Sequence, residues 1–225
     1  MGKTILTPKQ QLDFLELVQQ DKQITKRFYL TGDTPLAEFY LKHRLSEDID
    51  LFTQEKEVDP KLTEAFLKKI SPKLSIKQIK RSQFLGLISY QLIYKDRGKL
   101  KVDFNYYPFP RIEKGVMFKN LEVDSLHDIA VNKIHTLFMK PRTRDYIDIY
   151  FIMKPKKYSL PKLIMDAKAK FDWDIDRTTL VSQFIKARDI KREELPRMLV
   201  PFDKKKMEDF FLKLAKSLEK EIFTH

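Results

Sequence analysis

The chain reads as an α+β protein: a mixed sheet flanked by helices, then a helical C-terminal region. Three observations lead there. Residues 27–53 run strand, helix, strand. Residues 74–109 hold three segments that alternate apolar and polar side chains, a small meander. From Ser125 onward the apolar residues recur at three- and four-residue spacing. Strands first and helices after is the order of an α+β chain. The expected division is a core over 1–122 and a helical region over 123–225.

The elements follow in order. Residues 8–21 carry a rough apolar stripe of Leu12, Leu15, Leu17 and Val18 and predict a helix. "RFYLTG", 27–32, is a short strand ending at Gly32. Asp33 or Thr34 can then cap a helix with Pro35 in its first turn, running to about Leu41. "EDIDLFT", 47–53, is a second strand, and Pro60 starts a helix to about Ile70. "LSIKQIKRSQ", 74–83, "FLGLISYQLIY", 84–94, and "KLKVDFNYYPF", 99–109, are the meander strands, with "DRG" turning between the last two. "SLHD", 125–128, has capping-box spacing ahead of a helix to about Met139. Another helix covers about 144–153 and stops before Pro155, and a last one starts near Asp203.

Composition narrows the partners. With 225 residues, 42% hydrophobic and 34% charged, the chain can bury a sizeable core and is not of disordered type. No apolar run approaches the roughly 18–20 residues of a membrane helix. The first residues lack the layout of a signal peptide, and Leu6 breaks the myristoylation pattern. There is no cysteine, so thiolate zinc sites and disulfides are excluded and a reducing cytoplasm is expected. Lys and Arg total 44 against 32 Asp and Glu, a net +12. That excess favours a polyanionic partner such as RNA, or an acidic protein; it also fits a solvated basic surface.

The candidate chemistry starts at "HRLSEDIDLF", 43–52. Residues two apart on a strand share a face, so Asp48 and Asp50 stand side by side while Ile49 and Leu51 point into the other layer. Adjacent carboxylates repel, and a divalent cation relieves this; magnesium takes such oxygen ligands together with substrate phosphates. The same pair also reads as a polar strand face balanced by Arg44 or nearby lysines. Asp103, in "LKVDFNYY", shares parity with Lys101 and Asn105. If its strand lies beside that of Asp48, three carboxylates cluster, as a two-metal site requires. Gly32, between strand and helix, would let backbone approach a phosphate at a helix start. Lys133 falls on a core-facing stripe with Leu126, Ala130 and Leu137. It either snorkels or reaches a phosphate or carboxylate. Asp148, among apolar neighbours, raises the same question, with Arg144 one turn away.

At this point the residues resemble a family. "FYLTGDTPLAEFYLKHRLSEDIDLFT", 28–53, is similar to the opening motif of the AbiEii/AbiGii-type nucleotidyltransferases: Gly-Gly-Thr-Ala-Leu, a helix, His-Arg, Ser, and Asp-x-Asp. Here those are Gly32-Asp33-Thr34-Pro35-Leu36, His43-Arg44, Ser46 and Asp48-Ile49-Asp50. "DIAVNKIHTLFMKPRTRDYIDIYFI", 128–152, resembles the second block, with Lys133, Arg144-Asp145, Asp148 and Tyr150-Phe151 in the matching places. The resemblance covers about 28–153.

It implies a polymerase-beta-like nucleotidyltransferase fold whose 123–225 region completes the active-site cleft and offers an RNA or partner surface. It implies transfer of NMP from an NTP, with two Mg²⁺ ions, to an acceptor such as tRNA. The chain would be the toxin of a type IV toxin–antitoxin or abortive-infection system with a cognate antitoxin. Asp48, Asp50 and Asp103 would hold metal, with Asp103 also the candidate base for the attacking hydroxyl. Gly32, Asp33, Thr34, Arg44, Ser46 and Lys133 would line the nucleotide, and Asp148 would orient Lys133 or the base. Asp33 stands where the family has its second glycine, which puts a carboxylate beside the expected triphosphate. Two other functions use the same residues: a degenerate fold that binds RNA or protein without chemistry, and a transferase that modifies a protein or a small molecule.

Overall fold

In a computed structural model the structure describes residues 9–155 and 157–223, with side chains to residue 219. The leader and myristoylation readings, and Pro8 of the first helix, lie outside these residues. The chain divides into two compact units, Met1–Leu126 and His127–His225.

The first unit is built on a five-stranded sheet of order β1-β2-β5-β4-β3. Its strands are β1 (Tyr29–Thr31), β2 (Asp48–Thr53), β3 (Ile76–Phe84), β4 (Leu87–Tyr94) and β5 (Lys99–Tyr106). Only β2 and β5 pair in parallel; the other pairings are antiparallel. The sheet is therefore mixed. The period-2 pattern sorts its faces. Leu30, Ile49, Leu51, Leu100, Val102, Phe104, Ile88, Tyr90 and Leu92 all point into one buried layer. Helices α1 (Lys9–Val18) and α4 (Pro60–Ile70) supply the facing side chains, Phe14, Leu15 and Val18 from one and Phe66, Leu67 and Ile70 from the other. Each such side chain taken out of water contributes about 1.5–3 kcal/mol. Edge-to-face pairs fix the packing, Phe28 on Phe104 at 5.1 Å and Phe14 on Phe66 at 6.2 Å. Asp59 caps α4 by accepting from the Lys61 amide at 2.8 Å, ahead of Pro60 in the first turn.

Three local features differ from the sequence reading. The first helix ends at Val18, and a separate short turn of helix, α2 (Lys22–Thr25), follows under an Asp21 cap. The helix after Gly32 opens as a single turn, α3 (Asp33–Pro35), and then widens into a π-helix over Leu36–Leu41, closed by the Lys42 amide on the Ala37 carbonyl at 2.8 Å. The meander's first hairpin turns at Leu85-Gly86, so Phe84 ends β3 and is not the start of the next strand. Leu85 takes the left-handed conformation, φ 50°, that this tight turn demands. A two-stranded ribbon, β6 (Met117–Phe118) and β7 (Leu121–Glu122), closes the unit.

The second unit is helical: α5 (Leu126–Met139), α6 (Thr143–Met153), α7 (Leu160–Phe171), α8 (Arg177–Ile185) and α9 (Lys204–Phe223). Met207, Phe211, Ala215 and Leu218 give α9 its buried stripe. Tyr146 of α6 stands edge-on to Phe211 at 5.3 Å and donates its hydroxyl to the Gln183 carbonyl at 3.0 Å. Among the described residues no helix is long and apolar enough to cross a membrane.

Candidate active site

The polar face of the first unit's sheet carries the candidate site. The parallel register sets Asp48 opposite Lys101 and Asp50 opposite Asp103, and the antiparallel register sets Thr31 opposite Asp50. Asp48, Asp50 and Asp103 thus share one face of two adjacent strands. Ser89 Oγ donates to Asp103 Oδ1, and Lys101 Nζ to Asp103 Oδ2, both at 2.5 Å. Asp103 is buried; Asp48 and Asp50 are half-buried.

The electrostatics follow from that crowding. Loss of water pushes the Asp50 carboxyl up to about 7, and Asp33, Asp103 and Asp48 add to the rise while Lys101 opposes it. Burial works against the charge on Lys101, yet the Asp103 hydrogen bond, with Asp48 and Asp50 nearby, carries it above the ordinary lysine range. This is a carboxylate cluster short of positive charge.

The turn after β1 comes up against it. Gly32 has φ 81° and ψ −148°, a conformation close to the region that only glycine enters. A Cβ there would lie 2.5 Å from Asp50 Oδ2. The Thr34 hydroxyl bonds the Asp48 carbonyl at 2.5 Å and the Ser46 hydroxyl at 2.9 Å, pinning the helix start to β2. Asp33 is buried and turned onto Arg44, with Arg44 Nη2 3.1 Å from its Oδ2. Arg44 is itself buried and donates from Nη1 to the Leu45 carbonyl at 3.0 Å.

In the second unit, Lys133 is buried between two carboxylates, 2.6 Å from Asp145 Oδ1 and 2.7 Å from Asp148 Oδ2. Buried ammonium and carboxylates are tolerable only as such a matched set. Asp145 also accepts from the Arg142 amide at 2.8 Å, which fixes it at the start of α6. A separate buried pair, Lys170 on Asp128 at 2.8 Å, ties α7 to α5.

A family model for the nucleotidyl transferase AbiEii toxin of type IV toxin–antitoxin systems matches residues 16–220. The chain belongs to the AbiEii family. It is a nucleotidyltransferase. An uncharacterised protein of Aquifex aeolicus (strain VF5) is 28% identical over 211 residues, 92% of this chain and 95% of that one. Two crystal structures share the fold. One is a nucleotidyltransferase candidate from H. pylori, with TM-score 0.61, 18% identity, and coverage of 96% of this chain and 97% of that one. The other is JHP933 from Helicobacter pylori, with TM-score 0.58, 17% identity, and coverage of 96% and 94%. The α+β architecture with its mixed sheet is thus the polymerase-beta-like nucleotidyltransferase fold.

Against the AbiEii motifs, the sequence-predicted residues fall into two groups. Gly32, Asp33, Thr34, Arg44, Ser46, Asp48, Asp50 and Asp103 gather in the first unit; Lys133 and Asp148 meet in the second. Asp33 and Arg44 face each other. Two charged partners have no role assigned from the sequence, Lys101 and Asp145. Lys101 is legible there only as a parity mate of Asp103; its register opposite Asp48 needs the parallel pairing of β2 with β5. Asp145 stands three residues before Asp148 on α6, a spacing that places both on one helix face and was a readable signal.

Proposed function

We propose that this AbiEii protein transfers NMP from an NTP to a hydroxyl at the end of an RNA, with tRNA as the expected acceptor and Mg²⁺ as the metal. The observation that carries the reading is the register that sets Asp50 opposite Asp103 with Asp48 on the same face. Three carboxylates, one of them pushed up to about 7 by loss of water and then by like-charged neighbours, form a hard oxygen donor set of the kind Mg²⁺ takes. The residues therefore fit the metal, and Asp48, Asp50 and Asp103 would hold it. When bound, the ions supply positive charge to the attacking and leaving oxygens of an in-line displacement.

The chain's own groups do the rest. Gly32 has no side chain and leaves its backbone open to close approach by a phosphate. Thr34 and Ser46 hold that turn in place through their shared hydrogen bond. Asp103, already a hydrogen-bond acceptor from Ser89 and Lys101, is suited to receive the acceptor hydroxyl's proton. In the second unit, Lys133 takes the phosphate-neutralising role that the family block implies, with Asp145 and Asp148 fixing its ammonium. As an AbiEii toxin the chain would work in the cytoplasm and be restrained by a cognate antitoxin. The net +12 supports an RNA acceptor over a small-molecule one.

The test is transfer of each α-³²P-labelled NTP to total tRNA with Mg²⁺, comparing wild type with Asp48→Ala/Asp50→Ala. Label on RNA that disappears in the double variant is the expected result. Intact RNA binding with no label from any NTP would favour a binding module instead, with Asp33 in the glycine motif as its cause.

A further inference from the structure

The carboxylate row does not stop at β5. The antiparallel registers continue it outward: Asp103 faces Ser89, which faces Ser82, while Lys101 faces Gln91, which faces Lys80. A third row runs Asn105, Leu87, Phe84, and Lys99 pairs with Ile93 on the same face. Along this stretch Lys80, Ser82, Gln91, Lys99 and Lys101 are exposed, whereas on the other face of β4 and β5 Ile88, Tyr90, Leu92, Leu100, Val102 and Phe104 are core. The track ends at the edge of the sheet in the Leu85-Gly86 turn. There Phe84 and Leu85 keep 74% and 82% of their surface in water. Two such large apolar side chains at one tip, beside a face whose exposed residues are polar and basic, need an explanation.

We infer that this sheet face is the seat of the acceptor strand: the unpaired 3′ end of an RNA crosses β3 and β4 towards Asp103, with Phe84 stacking a base near the edge. The inference rests on the transferase reading above and deepens it. Across the sheet from β5 to β3 is two strand spacings, about 10 Å, and along it from the Asn105–Phe84 row to Lys99 is six residues, about 20 Å, so the face holds only the last few nucleotides. Lys80 and Lys99 meet phosphates, and the exposed Ser82 and Gln91 offer hydrogen bonds without demanding one base. That combination of an aromatic platform with a cationic groove is how single strands are held. A protein partner fits less well. It would need a contiguous apolar centre, and lysines along an edge strand discourage added strands. A duplex presents no base face to Phe84.

The probe is a 5′-fluorescein-labelled, ten-nucleotide single-stranded RNA, measured on the full chain by anisotropy against a blunt RNA hairpin. Phe84→Ala should weaken the single strand by about 5- to 100-fold, the range for loss of one base–aromatic stack, and leave the hairpin unchanged. Lys80→Gln/Lys99→Gln should flatten the salt dependence by about 1.4 in log–log slope, two phosphate contacts' worth. Both variants should bind labelled NTP as wild type does, since neither residue lies among the carboxylates or the Gly32 turn. If wild type labels RNA but neither variant alters binding or transfer, the track is wrong and the transferase reading stands. If wild type binds no single strand, or if Phe84→Ala instead abolishes modification or capture of a protein, the inference falls. If wild type transfers no nucleotide to any RNA, the reading beneath it falls as well.

Discussion

Replacing Asp50 by Asn should make the metal-free protein more stable, and only at high enough pH. The Asp50 carboxyl titrates near 7 in the folded chain against about 3.8 when water surrounds it. Below pH 4 it is neutral in both states and costs nothing. Between pH 4 and 7 the unfolded chain gives up the proton first, and folding stability falls by about 1.4 kcal/mol per pH unit. Above 7 the full cost stands. The span of about three pH units bounds it at about 4 kcal/mol; relaxation and entering water reduce this, so about 1–3 kcal/mol is expected. For a chain of this length that is a rise in Tm of about 3–10 °C. The assay is thermal unfolding of wild type and Asp50→Asn in EDTA at pH 8 and pH 4.5. The variant should lead at pH 8 and keep only about a quarter of that lead at pH 4.5. Adding Mg²⁺ at pH 8 should raise wild type and leave the variant nearly unmoved. A wild type that equals or exceeds the variant at pH 8 in EDTA, or a gap independent of pH, would refute the electrostatic account of the cluster.

Other perturbations probe the same framework. Gly32→Ala forces a Cβ to 2.5 Å from Asp50 Oδ2 in a backbone conformation that costs a side-chain-bearing residue about 1–3 kcal/mol, so urea midpoints and nucleotide transfer should both fall; a silent Ala would show that the turn is not built as described. Lys133→Met leaves Asp145 and Asp148 together without the ammonium between them and should destabilise by about 3–5 kcal/mol, with Asp145→Asn/Asp148→Asn recovering most of the loss; calorimetry on the three proteins checks it, and an unchanged Tm in the single variant counts against the triad. Lys101→Met removes a cation bound to Asp103, so Mn²⁺ affinity measured by electron paramagnetic resonance should tighten by about tenfold, well inside the several kcal/mol available to charges at such range; weaker Mn²⁺ binding would mean that Lys101 supports the site rather than competing for it.

Local rules made much of this legible. Alternation along 48–53 was enough to put both aspartates on one face, because a strand's period does not depend on its neighbours. Gly32 was marked as a close-approach position by its place between strand and helix, and its φ of 81° and the Asp50 oxygen beside it supply the physical reason. Pairing was another matter. Nothing in 99–109 says that this strand lies parallel to 48–53, across three intervening elements, and without that pairing Asp103 and Lys101 are merely surface residues of a meander. The widened turn over Leu36–Leu41 was equally hidden, since its Leu-Ala-Glu-Phe-Tyr-Leu sequence would serve an ordinary helix.

Asp33 shows why a motif read residue by residue can mislead about charge. Against the family pattern it looks like an acid placed in an anion's seat. In the fold its carboxylate is buried on Arg44, eleven positions further along the chain, so the motif's one irregular charge is largely met by its own arginine. That pairing does not make Asp33 inert, because it still adds to the pressure on Asp50. The substitution therefore acts on the site through the carboxylate cluster. Reverting it to Gly should lower the pH at which Asp50 ionises while weakening the Arg44 anchor. Any gain in nucleotide binding would then come with a measurable loss of stability, and a gain without that loss would show that the Asp33–Arg44 pair contributes little to the fold.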